Sequence, residues 1–262
     1  MNRDRLSLLA NLLVILLVAY AFLRPTGPLG GRIADWSQAR RRDRTLASSW
    51  QRVASGDRLD TLAERVRLVE FSDYECPYCR QQHALLSASI ARGATRGIAF
   101  RHLPLAIHPR ARGAALASIC AARAGRFLEM HNRLFTTTAW IADTNWTREA
   151  LAVGITDTAT FSSCLRGAPA EARLASDIAL ARELGVRGTP SFVTPRDYYE
   201  GVLPETAAVA MIRRSHDGRM LRLTAASSSR WIEGRPTVRT QWCSRRPGTS
   251  WFAAGPSHAS SA

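Results

Sequence analysis

Two cysteines, Cys76 and Cys79, stand two residues apart in the sequence FSDYECPYCR, residues 71–80. Such a CxxC pair can hold half of a zinc site, form a structural disulfide, or make and break a disulfide during a reaction. A structural zinc site needs a full ligand set, usually from two half-sites, and no second CxxC or paired histidine spacing is present. A structural disulfide over so short a loop would constrain the unfolded chain little. The pattern therefore favours disulfide exchange and predicts no metal.

The residues around this pair indicate how an exchangeable disulfide would work. An apolar run ends at Ser72 and helix formers follow Cys76, so Cys76 falls at or just before the first turn of a helix. Free backbone N–H groups and the helix dipole stabilise a negative charge there, and Pro77 fits the first helical position because it lacks an N–H. A stabilised thiolate attacks readily and leaves readily. We therefore predict that Cys76 is the nucleophile and that Cys79, one turn further along, is the resolving thiol.

The elements that would position the pair follow an α/β order. Residues 65–72 (RVRLVEFS) form a compact apolar run typical of a strand buried on both faces, and residues 97–103 indicate a second strand. Residues 104–187 are almost wholly helical in pattern, with apolar positions at helical spacing from residue 111 to residue 134. Two more strand segments, 188–193 and 198–202, and a helix over 204–214 complete the pattern. The sequence therefore predicts a long helical insertion between two groups of strands.

Four segments taken together resemble the DsbA-like thiol-disulfide oxidoreductases of the thioredoxin superfamily. They are FSDYECPYCR, RHLPLAIHPRA, CAARAGRFLEMHNRLF and ARELGVRGTPSF, and the resemblance covers about residues 65–214. It implies a thioredoxin fold with an inserted helical domain over about residues 104–187. It also implies that Cys76 is the exposed nucleophile and Cys79 the resolving cysteine.

The resemblance assigns roles to residues on both sides of the pair. Pro190 corresponds to a cis-proline that faces the cysteines, with an ordinary trans proline in a turn as the alternative. The backbone of Thr189 would then form strand-like hydrogen bonds with a substrate peptide. Pro77 and Tyr78, between the two cysteines, are expected to contact the substrate as well.

Glu70 lies six residues before Cys76, where related proteins carry a buried acid beneath the active site. A half-buried carboxyl would have a raised pKa and would relay the proton of Cys79. The alternative is a strand residue that faces solvent. Asp73 and Glu75 belong to the same motif, but no chemical step is assigned to them.

Three further cysteines lie outside the pair. Cys120 and Cys164 both fall in the helical insertion, where they either form a second disulfide or remain two separate buried thiols. Cys243 is left over in the C-terminal tail, without an evident partner.

The N-terminal residues 6–23 carry no charge, and as a helix they would span about 27 Å, close to the hydrocarbon thickness of a bilayer. They are interpreted as a signal anchor, or as a signal peptide cleaved near Ala21. More arginines follow this segment than precede it, which would keep the following domain in the cytoplasm, whereas the cysteine chemistry favours export. We predict export, that is, a cell-envelope protein with its catalytic domain outside the cytoplasm.

The predicted organisation is therefore an anchor or signal peptide (1–23), a partly helical linker (24–60), the DsbA-like domain (61–215) and a mostly disordered tail (216–262). The formal charge of +15 comes entirely from arginine, but the arginines are scattered and match no nucleic-acid module. We expect a monomer without a cofactor.

The predicted function is an exported oxidase that passes its disulfide to reduced secreted proteins and is reset by an unidentified redox partner. Two alternatives stay open. Cys-Pro-Tyr-Cys also occurs in glutaredoxins, which indicates a disulfide reductase, and the groove beside Pro190 would suit a non-catalytic peptide-binding chaperone.

Overall fold

A five-stranded mixed sheet lies at the centre of the computed structural model, which describes residues 3–24, 27–60, 63–216 and 243–244. The described strands are β1 (Asp57–Arg58), β2 (Leu68–Ser72), β3 (Ile98–His102), β4 (Gly188–Thr189), β5 (Ser191–Val193), β6 (Tyr198–Glu200) and β7 (Cys243–Ser244). The central sheet has the order β1-β3-β2-β5-β6, in which β2 and β3 are parallel and the other neighbours are antiparallel. A separate two-stranded sheet joins β4 to β7.

Strand β2 is buried along its whole length, as its apolar run predicts. Val69 and Phe71 pack in the larger core with the inserted helices, whereas Leu68 packs in a smaller core with Leu86. Because side chains alternate between the two faces of a strand, Glu70 lies on the same face as Leu68. An acid is thereby placed inside the sheet, beneath the helix that carries Leu86.

Ten helices are present in the parts of the chain that the structure describes. They are α1 (Arg3–Leu23), α2 (Pro28–Ala54), α3 (Pro77–Ala91), α4 (Ala111–Arg123), α5 (Phe127–Thr136), α6 (Ala139–Ala142), α7 (Trp146–Ala152), α8 (Thr158–Leu165), α9 (Ala168–Glu183) and α10 (Glu205–His216). The insertion predicted between the strands is present as α4 to α9. The α/β architecture with a helical insertion therefore agrees with the expected fold.

The segment with continuous helical spacing over residues 111–134 forms two helices, α4 and α5, in the structure. The pattern over residues 111–134 is divided at Gly125, whose φ of +72° lies in the left-handed region that glycine tolerates. The chain turns there, and α5 packs back against α4. Cys120 on α4 is bonded to Cys164 on α8, so the pairing that the sequence left open is formed and joins two helices of the insertion.

Helix α2 occupies most of the linker (24–60) that was predicted to be only partly helical. It begins at Pro28, which occupies the first turn, and its last third packs on the domain. Leu46 and Val53 are fully buried in the larger core, and Trp50 is partly buried against it. The predicted linker therefore contributes side chains to the core.

A buried ion pair connects α2, β3 and α9. The guanidinium of Arg101 donates to a carboxylate oxygen of Asp177 at 2.6 Å and to the backbone carbonyl of Val53 at 3.1 Å. The other carboxylate oxygen of Asp177 accepts from the backbone N–H of His102 at 3.1 Å. Both charged side chains are almost completely buried, so Arg101 depends on Asp177 for its compensating charge, while Asp177 also has Arg173 at 3.7 Å.

The predicted N-terminal membrane span is not confirmed. Across the parts of the chain that the structure describes, no helix combines the length and the apolar character that a membrane crossing needs. The predicted disordered tail lies outside the described residues, except for the strand at Cys243–Ser244.

We expect Asp177→Asn to lower the free energy of unfolding by about 3–5 kcal/mol, because it leaves the buried charge of Arg101 uncompensated. The matched control is Glu183→Gln on the same helix, whose partner Arg52 is 52% exposed. An exposed pair of this kind contributes about 1 kcal/mol or less. Urea unfolding of both variants measures the difference, and equal losses would contradict a special role for the buried pair.

Candidate active site

The cysteine pair lies where β2 leads into α3. Cys76 is the N-cap residue of α3 and Pro77 is its first helical residue, as the sequence predicts. The backbone N–H of Cys76 donates to the carbonyl of Asp73 at 3.2 Å. Cys79 lies one turn further along, completely buried. The N–H groups of the first helical turn, which lack intrahelical partners, therefore lie beside Cys76.

The two cysteines are not bonded to each other in this structure. Cys76 is disulfide-bonded, whereas Cys79 carries a free thiol. Cys76 is also 0% exposed, which corrects the prediction of an exposed nucleophile. Its sulfur lies against the backbone of the segment around Pro190, 3.6 Å from the carbonyl oxygen of Thr189, and this contact contributes to its burial.

The segment around Pro190 faces both cysteines. The Thr189–Pro190 peptide bond is cis, and the Sγ atom of Cys76 lies 3.6 Å from the carbonyl oxygen of Thr189. The hydroxyl of Ser191 donates to the carbonyl of Gly188 at 2.7 Å, which ties the strands on either side of Pro190 together. Pro77 is exposed and Tyr78 is half-buried, so these two residues form part of the surface beside Cys76.

Several groups keep the thiol of Cys79 protonated. Burial raises its pKa, the charge of Asp73 raises it further, and Glu70 contributes in the same direction. The hydroxyls of Ser72 and Thr189 act in the opposite direction but are outweighed. Cys79 therefore needs to lose a proton to a nearby base before it can attack a disulfide.

Glu70 is a buried acid and not a solvent-facing residue. It is 2% exposed, and burial raises its pKa from 4.5 to about 7. Its side chain borders a pocket of about 220 Å³ beneath α3 that is also lined by His83, His131 and Asn132. A carboxyl in this position changes its charge near neutral pH and is adjacent to a space lined by both polar and apolar side chains.

Asp73 is the residue whose role sequence reasoning missed. Its carboxylate accepts from the backbone N–H groups of Glu75 and Leu105, each at 2.8 Å. It also accepts from the Nδ1 atom of His108 at 2.8 Å. Burial lowers the pKa of His108, but the hydrogen bond and the charge of Asp73 outweigh it, so that pKa is raised. The side chain thus holds the loop before Cys76 against the loop before α4.

Two neighbours of Asp73 strengthen this connection. The carboxylate of Glu75 accepts from the backbone N–H of Arg110 at 2.7 Å. The hydroxyl of buried Tyr74 forms hydrogen bonds with Ser118 on α4 at 2.8 Å and with His131 on α5 at 3.2 Å. The motif DYE therefore docks the active-site loop on the inserted helices. The available signal was a run of polar residues directly after a strand buried on both faces.

Among the described residues, no group of three or more His, Cys, Asp or Glu side chains is arranged to hold a metal ion.

Comparison with known proteins identifies the family of this domain. Residues 62–212, more than half of the chain, match the family described as Thioredoxin. A thioredoxin-like oxidoreductase from Silicibacter pomeroyi DSS-3 is similar in structure, with a TM-score of 0.53 at 28% identity over 58% of this chain and 87% of that chain. The thiol-disulfide exchange protein alpha-DsbA2 from Wolbachia pipientis gives a TM-score of 0.58 at 15% identity, over 68% of this chain and 97% of that chain. At 15% identity, the likeness to alpha-DsbA2 shows a shared fold alone.

Part of the chain is also similar in sequence to part of several Na(+)/H(+) antiporters. The Na(+)/H(+) antiporter NhaA 3 of Salinispora tropica is 34% identical over 128 residues, which are 48% of this chain and 20% of that protein. The chain spans between about a fifth and somewhat over a quarter of the length of the first such relatives. We assign no transport activity from so small a share.

We expect Glu70→Gln to make the protein more stable than the wild type at alkaline pH by about 3 kcal/mol, the free-energy equivalent of the rise in pKa from 4.5 to about 7. Between these two values the folded state keeps a proton that the unfolded chain has released. Wild-type stability therefore falls as pH rises through this range, whereas glutamine does not titrate.

Urea unfolding of both proteins near pH 4.5 and at about pH 8.5 measures this difference, since the other titrating groups are shared. A difference between the two proteins that is independent of pH would mean that Glu70 titrates normally.

Proposed function

Because the chain belongs to the thioredoxin family, we propose that it is an exported thiol-disulfide oxidoreductase that passes a Cys76–Cys79 disulfide to thiols of secreted proteins. The family match confirms the thioredoxin superfamily, and the fold shared with alpha-DsbA2 supports a DsbA-like activity as part of this proposal. The observation that carries the proposal is the position of Cys76. Its sulfur lies at the start of α3 and 3.6 Å from the Thr189 carbonyl, beside the backbone of a short strand.

The reaction follows from these positions. A substrate thiolate attacks the Sγ atom of Cys76, the bond between Cys76 and Cys79 breaks, and a mixed disulfide forms on Cys76. The second thiol of the substrate then attacks the substrate sulfur of this mixed disulfide. Cys76 leaves as a thiolate, which the N-terminus of α3 stabilises. The substrate gains a disulfide, and the cysteine pair takes up two electrons and two protons.

Glu70 is the proton carrier of the buried thiol in this proposal. Cys79 leaves as a thiolate in a site that strongly disfavours the charge. A neighbouring carboxyl with a pKa of about 7 supplies the proton that neutralises it and accepts the proton when Cys79 attacks again. The residue whose burial costs stability thus sets the rate of exchange at the buried sulfur.

Export and the oxidase direction form the finer part of the proposal. The disulfide between Cys120 and Cys164 supports export, because such bonds persist mainly in oxidising compartments. Attachment to a membrane through residues 6–23, or release by cleavage near Ala21, belongs to the same proposal. Oxidase turnover also requires a redox partner that restores the disulfide of the cysteine pair.

The inserted helices count against a small glutaredoxin-like reductase, since α4 to α9 occupy most of residues 104–187. The free, buried thiol of Cys79 next to the bonded Cys76 counts against a chaperone without redox chemistry, because a peptide-binding groove does not need a second sulfur.

Export and substrate are tested with a trapping variant in the native host. We expect Cys79→Ser to accumulate mixed disulfides between Cys76 and exported proteins, because the resolving thiol is absent. Cys243→Ser is included in the same chain so that the tail thiol cannot resolve the adducts. The matched control carries Cys76→Ser instead and should trap nothing. Mass spectrometry of the adducts decides the outcome, and adducts only with cytosolic proteins or glutathione would contradict both export and the oxidase.

The role of Glu70 is tested by rapid kinetics. We expect Glu70→Gln to slow attack by Cys79 on a mixed disulfide at Cys76 by a factor on the order of 10²–10⁴, the usual contribution of a positioned base. The wild-type rate should rise with pH through about 7, the pKa of the carboxyl, and this dependence should be absent in the variant. An unchanged pH profile would assign Glu70 a structural role only.

A further inference from the structure

The partner of the Asp73 carboxylate is a side chain that titrates. The side chain of Asp73 has no exposed area, and within the described residues its ion-pair partner is His108, whose Nδ1 atom lies 2.8 Å away. Two other carboxylates without exposed area, those of Asp177 and Glu149, are paired with arginine. Arginine keeps its charge at any physiological pH, whereas histidine loses its charge within that range. Of these three buried acids, the one beside the cysteine pair therefore has the partner whose charge depends on pH.

The surroundings of His108 favour its charged form. Its side chain is 14% exposed and belongs to the loop before α4. The carboxylates of Asp73 and Glu75, both from the loop before α3, outweigh the effect of burial and raise its pKa. Of the arginines nearest in sequence, Arg110 donates its backbone N–H to Glu75 and Arg112 is paired with an acid of α9. His108 is thus the cation that faces Asp73.

Asp73 connects His108 to the cysteine pair. Its negative charge raises the pKa of the buried Cys79 thiol, and its carbonyl accepts from the backbone N–H of Cys76 at 3.2 Å. A proton on His108 offsets the charge of Asp73, so that less negative charge opposes formation of the Cys79 thiolate. When His108 loses that proton, the full charge of Asp73 acts on Cys79.

We propose that His108 is a positioning residue of thiol-disulfide exchange: in its protonated form it holds the Asp73 carboxylate and offsets its charge, so that Cys79 attacks faster. This inference rests on the proposed function. It adds a second titratable group to the resolving step, in the loop that leads into the inserted helices.

The resolving step is balanced without a proton from His108. The thiol of Cys79 passes its proton to Glu70, and its Sγ atom forms a bond with the Sγ atom of Cys76. The bond between Cys76 and its mixed-disulfide partner breaks, and the partner leaves as a thiolate with the bonding electron pair. His108 keeps its own proton throughout and acts through Asp73 only.

His108 and Glu70 respond to pH in opposite directions. Glu70 accepts a proton only as a carboxylate, so its contribution grows as pH rises through about 7. His108 contributes only as a cation, so its contribution is present at low pH and is lost as pH rises through its pKa, which lies above the ordinary value of 6.5. The effect of His108 is therefore measured as the ratio of rates between two chains that share Glu70.

A two-step reaction with the aromatic disulfide dithiobis(nitrobenzoate) measures this ratio. The reduced pair releases one coloured thiolate when Cys76 takes up the reagent and a second one when Cys79 attacks the mixed disulfide. The parent chain carries Cys243→Ser, so that the tail thiol does not react, and its Cys120–Cys164 disulfide is kept intact. Cys76→Ser in this chain is the control and should abolish both rapid phases.

Asparagine at position 108 retains a hydrogen-bond donor but carries no charge. We expect His108→Asn to slow the second step on the order of tenfold at about pH 5.5, the effect of a unit charge acting over about 10 Å at an effective dielectric constant of about 20. The difference should vanish at about pH 9, where the histidine of the parent is neutral. His108→Arg, whose charge does not titrate, should be faster than the parent at about pH 9.

A ratio between the parent and His108→Asn that is the same at every pH would assign His108 a structural role and overturn the proposal. An arginine variant that is no faster than the parent at alkaline pH would overturn it as well. Circular dichroism verifies that the variants fold, and the comparison of His108→Arg with the parent decides the question if asparagine does not support the fold.

Failure of the proposed function gives a different result. A parent chain that forms the mixed disulfide but never releases the second thiolate would refute resolution by Cys79 and with it the exchange reaction. A normal second step with a ratio independent of pH would refute the role of His108 and leave the exchange intact.

Discussion

The active site depends on the hydrogen bonds that the buried carboxylate of Asp73 accepts. It is buried between the end of β2 and the loop before α4, and it accepts from the backbone N–H groups of Glu75 and Leu105 and from His108. The carbonyl of the same residue accepts from Cys76, so the start of α3 is fixed relative to the inserted helices. Its charge also raises the pKa of Cys79. One residue thus positions the outer cysteine and, together with burial, keeps the thiol of the inner one protonated.

The strand, the helix start and the site residues near the pair could be predicted because they depend on local sequence. The apolar run before Ser72 predicts β2 and Pro77 predicts the first turn of α3, whereas the burial of Glu70 was implied by the family resemblance. The break at Gly125 was not predicted, since apolar spacing continues on both sides of it and only the positive φ ends the helix. The length and packing of α2 were also missed, because its contacts with β3 and α9 are tertiary.

The contacts that complete the site connect residues far apart in the chain. Asp73 bonds to residues 105 and 108, and Arg101 bonds to residues 53 and 177. No local pattern identifies such partners. The contact between the Cys76 sulfur and the carbonyl of Thr189 spans 113 positions of sequence, more than either of these connections.

The disulfide between Cys120 and Cys164 also bears on how the protein responds to a reductant. It joins α4 to α8, and Ser118 of the same α4 is hydrogen-bonded to Tyr74 in the loop before Cys76. A reductant strong enough to open this bond would therefore loosen the helix on which that loop docks. Strong reduction would act on the protein twice, once at the cysteine pair and once at the scaffold that supports it.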